Sequence, residues 1–171
     1  MTTVDWMGRY RRLIETLVRH RNAFARVMNT KTEFQEQLSL SILEWEVLEY
    51  IIEHEADDSS MSRLSERLII PPSSFSKITR TLCDLGLIAK YRMVGNNKNI
   101  ILKPTEEGKL FYTAHAEKFQ NTIFGEFFDA LADFSDEELD RIARAVAALT
   151  PSTDAEKNGD RAKEYRLVRQ E

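Results

Sequence analysis

The stretch that most constrains this chain is Ile69-Ile70-Pro71-Pro72, set between two short runs of helical period. Neither proline can donate a backbone hydrogen bond, so a helix carrying Met61, Leu64 and Leu68 must stop there. Pro72 can still open the following helix at its first turn. That helix carries Phe75, Ile78, Leu82 and Leu85 on one face, and Gly86 is placed to end it. The period then changes. Leu87–Arg92 and Asn99–Lys103 are short β-prone runs, and the Gly95-Asn96-Asn97 cluster between them tolerates positive φ, which predicts a hairpin. Helix, tight connection, helix and hairpin make a helix-turn-helix with a β-wing over residues 59–104.

Helices are predicted on both sides of this motif. Trp6, Tyr10, Leu13, Ile14, Leu17, Val18, Phe24, Ala25 and Met28 form an amphipathic stripe over residues 5–29, with arginines on the other face. A second helix runs from about Ser41 to His54, and Asp57-Asp58-Ser59-Ser60 supplies a loop and an N-cap. Thr105 caps a helix that reaches about Leu131, with Glu106 and Glu107 at the positive end of its dipole. Ser135 and Glu138 are spaced for a capping box on a last helix, which Pro151 ends. The tail from Ser152 is polar and is expected to be mobile or weakly helical. There is no internal repeat. The fold class is mainly α with a small β-hairpin wing: a winged helix-turn-helix with flanking dimerisation helices. The expected division is an N-terminal dimerisation helix over 1–35, the winged motif over 36–104, C-terminal dimerisation helices over 105–150, and a polar tail over 151–171.

Composition removes several classes. A chain of 171 residues with 6 Gly and 4 Pro is long enough for one cored domain with an extension, and is neither collagenous nor largely disordered. No apolar run approaches the ~20 residues that span a bilayer. The first residues lack the basic and apolar regions of a secretory signal, so a cytoplasmic location, away from membranes, is expected. Cys83 is the single cysteine. His20, His54 and His115 lie far apart, without a second histidine at the metalloprotease spacing. No nucleophile elbow or glycine-rich phosphate loop is present. The reading is of a non-enzyme with no metal and no cofactor.

The formal net charge of −4 hides strong blocks. Residues 1–32 carry +5, 33–58 carry −9, 59–104 carry +6 and 105–150 carry −6. The basic central block coincides with the helix-turn-helix. Opposite its buried stripe, the second helix presents Ser73, Ser74, Ser76, Lys77, Arg80, Thr81 and Asp84. Small hydroxyls at a helix start let the backbone approach a DNA groove, and an arginine there can grip guanine O6 and N7 together. The candidate DNA-binding residues are therefore Ser73, Ser74, Ser76, Lys77, Arg80 and Thr81, with Lys90, Arg92, Asn97 and Lys98 from the wing.

At the level of residues, "MSRLSERLIIPPSSFSKITRTLCDLGLIAKYR", the hairpin and "ILKPTEEGK" resemble the MarR family of bacterial transcriptional regulators. "LSLSILEWEVLEYI" is similar to that family's preceding helix, and the resemblance spans about residues 5–149. The chain departs from the family at three places. Ile69 stands where the turn often has glycine, which predicts a slightly reshaped turn. Asn96-Asn97 replace an Asp-Arg pair at the wing tip, and Pro104 replaces an aliphatic residue before the Thr-x-x-Gly helix start. The resemblance implies a cytoplasmic, ligand-responsive homodimeric repressor that reads double-stranded DNA. It also implies a small aromatic effector, for which Phe24, Trp45, Tyr50 and Tyr112 are candidate pocket residues. A winged-helix module that binds an acidic protein partner without reading DNA sequence is the alternative, favoured by the altered wing tip. Salt-dependent retention on DNA separates the two.

Overall fold

The computed structural model describes residues 7–35, 38–57, 60–93, 96–149 and 167–169, by backbone alone at 34–35, 93, 96–98 and 167–169. The described residues form α1 (Arg11–Val27), β1 (Lys31–Gln35), β2 (Leu38–Ser41), α2 (Ile42–Glu53), α3 (Met61–Arg67), α4 (Pro72–Asp84), β3 (Ile88–Met93), β4 (Asn96–Pro104), α5 (Glu106–Leu131), α6 (Asp136–Ala147) and β5 (Leu167–Arg169). The chain divides into two compact units, 1–46 and 47–171, and α2 runs across the division.

In the first unit, β1 and β2 pair antiparallel, with Lys31 opposite Ser41 and a bulge between Glu33 and Gln35. This ladder is absent from the sequence reading. Leu38 and Leu40 alternate as strand residues do, but the connection at 36–37 has no Gly, Pro or Asn to mark a turn. Ser41 and Glu44 then start α2 reciprocally. The Ser41 amide donates to Glu44 Oε2 at 2.8 Å and the Glu44 amide donates to Ser41 Oγ at 3.2 Å. Leu40, Ile42 and Trp45 are buried. No described residue of α1 is buried. Trp6, expected at the head of its stripe, lies outside the described residues.

The second unit contains the winged helix-turn-helix as expected. Its core comprises Leu48 and Ile51 of α2, Leu64 of α3, Phe75, Ile78 and Leu82 of α4, Leu87, Ile88, Ile101 and Leu102 of the wing, and Phe111 and Phe119 of α5. The caps read from the sequence are present: Ser60, Thr105 and Ser135 each accept an amide hydrogen bond from the residue three places on. The amide and hydroxyl of Ser135 donate to Glu138 and hold its carboxyl below the usual range.

Two helix ends in this unit close in the same way at different cost. At the end of α4, Leu87 N–H donates to Leu82 O and Gly86 N–H to Cys83 O, both at 2.9 Å, with Gly86 at φ +73°. At the end of α3, Ile70 N–H donates to Ser65 O at 3.0 Å and Ile69 N–H to Glu66 O at 3.1 Å, with Ile69 at φ +55°. The turn is thus not reshaped by the missing glycine; isoleucine is held in the left-handed region. Ser65, buried, reinforces it by donating Oγ to Ile70 O at 2.7 Å. Left-handed backbone costs an L-residue roughly 1–2 kcal/mol, more for a β-branched one. Ile69 is 57% exposed, so its side chain returns little by burial. Ile69→Gly is expected to stabilise the chain by about 1 kcal/mol after glycine's extra unfolded-state entropy. Thermal unfolding checks this, and a lower midpoint for the variant would contradict it.

β3 and β4 pair antiparallel from Ile88 opposite Pro104 to Arg92 opposite Ile100, with an irregularity before Met93 opposite Asn96. Ser60 bridges to Ile101 and ties the start of α3 to the wing. The tail corrects one expectation: Leu167–Arg169 form a strand along the outer edge of β3 instead of a mobile or helical segment.

Candidate nucleic-acid interface

The site is built on α4, whose two faces the sequence had separated. Phe75, Ile78, Thr79 and Leu82 are buried, while Ser73, Lys77, Arg80 and Asp84 are exposed and Ser74, Ser76 and Thr81 half-buried. Leu85, expected in the buried stripe, is only half-buried at the C-cap. Lys77 and Arg80 lie one turn apart. Neither makes an ion pair with another described residue. Thr81 donates Oγ1 to Lys77 O at 3.2 Å, which leaves its lone pairs as acceptors. Pro71, the N-cap of α4, supplies no side-chain cap to the first amides of the helix, those of Ser73 and Ser74.

The wing follows α4 in the chain, and its first strand packs against that helix. Lys90 is half-buried and Arg92 exposed on β3. Asn97 and Lys98 are backbone positions on β4; their side chains lie outside the described residues. Lys103 turns inward and donates to Glu55 O, so it is committed to the fold. A small cleft of about 250 Å³ lies where α3, the head of α4 and β4 meet, lined by Ser60, Met61, Ser65, Pro72, Phe75 and Ile100 among others.

The four aromatic residues proposed for an effector are divided between the units. In the first, Trp45 is wholly buried and Phe24 stacks on His20 with ring centroids 5.9 Å apart. In the second, Tyr50 stacks on His54 at 4.0 Å, and the Tyr112 hydroxyl donates to Glu49, which also accepts from Gln120 Nε2 at 3.3 Å. Burial first, and then this bond to a carboxylate, push the Tyr112 phenol above its ordinary value. None of the four lines the cleft beside α4. Each histidine has an aromatic neighbour four residues before or after it, His115 against Phe111 at 4.9 Å. Among the described residues, no group of three or more His, Cys, Asp or Glu is placed to hold a metal ion, and no helix is long and apolar enough to cross a membrane.

No protein-family model matches the chain, and no curated protein sequence matches it. Solved structures do. The transcriptional regulator SlyA superposes with a TM-score of 0.60 at 19% identity, over 80% of this chain and 90% of that one. ZitR of Lactococcus lactis, a zinc-responsive MarR family member, gives 0.55 at 22% identity, over 81% and 95%. FabT of Streptococcus pneumoniae, in complex with DNA, gives 0.55 at 21%, over 82% and 94%. The fold is that of the MarR regulators. Within this MarR-like fold, α3 and α4 are the helix-turn-helix and β3–β4 the wing. The missed elements are β1, β2 and β5, and β5 pairs with a strand of the wing.

Proposed function

We propose that the chain is a homodimeric transcription regulator that binds double-stranded DNA through α4 and the wing. The observation that carries this reading is the outward face of α4. Two cations without ion-pair partners among the described residues, one turn apart, share that face with small hydroxyls beside a wing strand that carries Lys90 and Arg92. In this assignment Arg80 reads a base edge, Ser73, Ser74, Ser76 and Thr81 reach phosphates or bases, and Lys90, Arg92, Lys98 and Asn97 lie along the backbone or the minor groove.

The partner that covers the flanking helices is a second copy of the chain. Neither α1 nor α6 contains a buried residue, yet Leu13 on α1 is 57% exposed, Phe127 on distal α5 56%, and Val146 on α6 49%. Apolar side chains on three separate helices call for a partner surface. Two α4 helices related by a two-fold axis then enter successive major grooves about one helical turn apart. Repression, and its release by a small aromatic effector, complete the reading. Phenolic acids that lower operator affinity would support that last part.

Sequences selected from random duplex DNA, followed by titration at several salt concentrations, test the central claim. A shared palindromic motif and a steep fall of affinity with salt are expected. Absence of salt-dependent retention on any duplex would instead indicate the protein-interaction alternative. Sedimentation tests the dimer. Leu13→Glu with Phe127→Glu is expected to give a monomer that loses roughly 100-fold or more in operator affinity, because the second half-site no longer binds intramolecularly. A double variant that sediments as a dimer would sink the assignment of these helices.

A further inference from the structure

We infer that the C-terminal strand β5 is a third strand of the wing and that it brings cationic charge to the DNA backbone. This rests on the DNA-binding reading and extends it to a segment outside the helix-turn-helix and its hairpin. β5 runs antiparallel to β3, with Leu167 opposite Met93, Val168 opposite Arg92 and Arg169 opposite Tyr91. β4 occupies the other edge of β3, so β5 covers the edge that a two-stranded wing leaves open. An open edge is a template for strand pairing. The paired residues lie in the half of β3 that leads to the wing tip, beside the irregularity between Arg92 and Met93.

The charge of the assembled sheet gives this pairing a purpose. β3 contributes Lys90 and Arg92, β4 contributes Lys98, and β5 contributes Arg169; none of the three strands holds an Asp or Glu. Neighbouring strands lie about 4.8 Å apart, which puts Arg169 within roughly one Debye length of the β3 cations. Arg169 at this register position adds positive charge to the sheet, and with it attraction for phosphates. The hairpin tip has Asn97 where the family resemblance implies arginine. β5 therefore returns to the wing a charge that its tip lacks, from the far end of the chain. Three residues of pairing form a marginal contact, held at high local concentration because strand and wing belong to one chain.

Two substitutions in the full chain separate docking from its consequence. Val168→Pro removes a strand amide and disrupts pairing; Arg169→Gln removes the charge and keeps the strand. Without DNA, Val168→Pro is expected to speed amide exchange over Tyr91–Met93, and Arg169→Gln to leave it slow. With a selected operator and a random-sequence duplex, both variants should bind roughly three- to tenfold more weakly per protomer at about 0.1 M salt, equally on the two duplexes, with the salt slope lowered by about one unit. Unchanged exchange in Val168→Pro would overturn the docking. Fast exchange with unchanged or tighter DNA binding would overturn the cationic role and make β5 a cover over the wing. A wild-type chain that binds no duplex at low salt would overturn the DNA reading itself, while exchange over Tyr91–Met93 would still decide whether β5 docks.

Discussion

Gly108→Ala is expected to destabilise the chain by about 3–5 kcal/mol. Gly108 is buried in the first turn of α5, where an added Cβ would lie 2.0 Å from Leu87 O and 2.9 Å from Leu87 C. Both atoms are backbone, so no side chain can swing away. Relief requires α5 to lift from the strand entry. That movement strains the Thr105 N–H bond to Leu87 O at 3.1 Å and the Thr105 Oγ1 bond to Gly86 O at 2.6 Å. Overpacking costs typically 1–3 kcal/mol, and each lost hydrogen bond adds about 1 kcal/mol. Gly125→Ala in the same helix is the control. Nothing lies within 4 Å of its added Cβ, and mid-helix alanine is favoured over glycine by about 1 kcal/mol. Chemical denaturation of both variants reads the difference. Equal stabilities would show that α5 is not seated on the Leu87 backbone.

Arg80→Ala is expected to cost roughly 1–3 kcal/mol at each half-site, and so about 2–6 kcal/mol for a two-fold complex, with relaxed preference at one base pair per half-site. The reason is geometric. Arg80 is exposed on the face of α4 opposite Phe75 and Ile78, without an ion pair among the described residues to hold it back. Stability should change little, since no core contact is lost. Operator titration at fixed salt, repeated with each base at the selected position, separates a base contact from a phosphate contact. A loss spread equally over operator and random duplex would reassign Arg80 to phosphate. No loss on either would remove this face of α4 from the groove.

The elements around the proposed interface were legible because each is set by near neighbours. Pro71-Pro72 stops one helix and starts another by removing two donors, and the Ser135-Glu138 spacing closes a capping box within four residues. The apolar spacing of Phe75, Ile78 and Leu82 separates the two faces of α4 before any partner is known, so Lys77 and Arg80 could be assigned outward. The Thr105-x-x-Gly108 start was visible as a motif, but its reason was not. Only the fold brings Leu87, far outside that turn, to within a Cβ radius of Gly108.

What the chain's own sequence determined is thus local: helix boundaries, caps, the hairpin, the two faces of α4 and the block of positive charge over 59–104. What only tertiary structure decided depends on distant pairing or on a competition between forces. Ile69 was expected to reshape its turn slightly, yet the hydrogen bonds of Ile69, Ile70 and Ser65 hold it at φ +55°. Trp45 and Tyr112 looked equivalent as aromatic residues at helical spacing, but one is wholly buried and the other carries a hydroxyl bonded to Glu49. β5 is three residues in a tail of balanced charge, with no periodicity to announce it. Its existence follows from the open edge of β3, more than 70 residues earlier, because a strand this short is specified by the edge it joins.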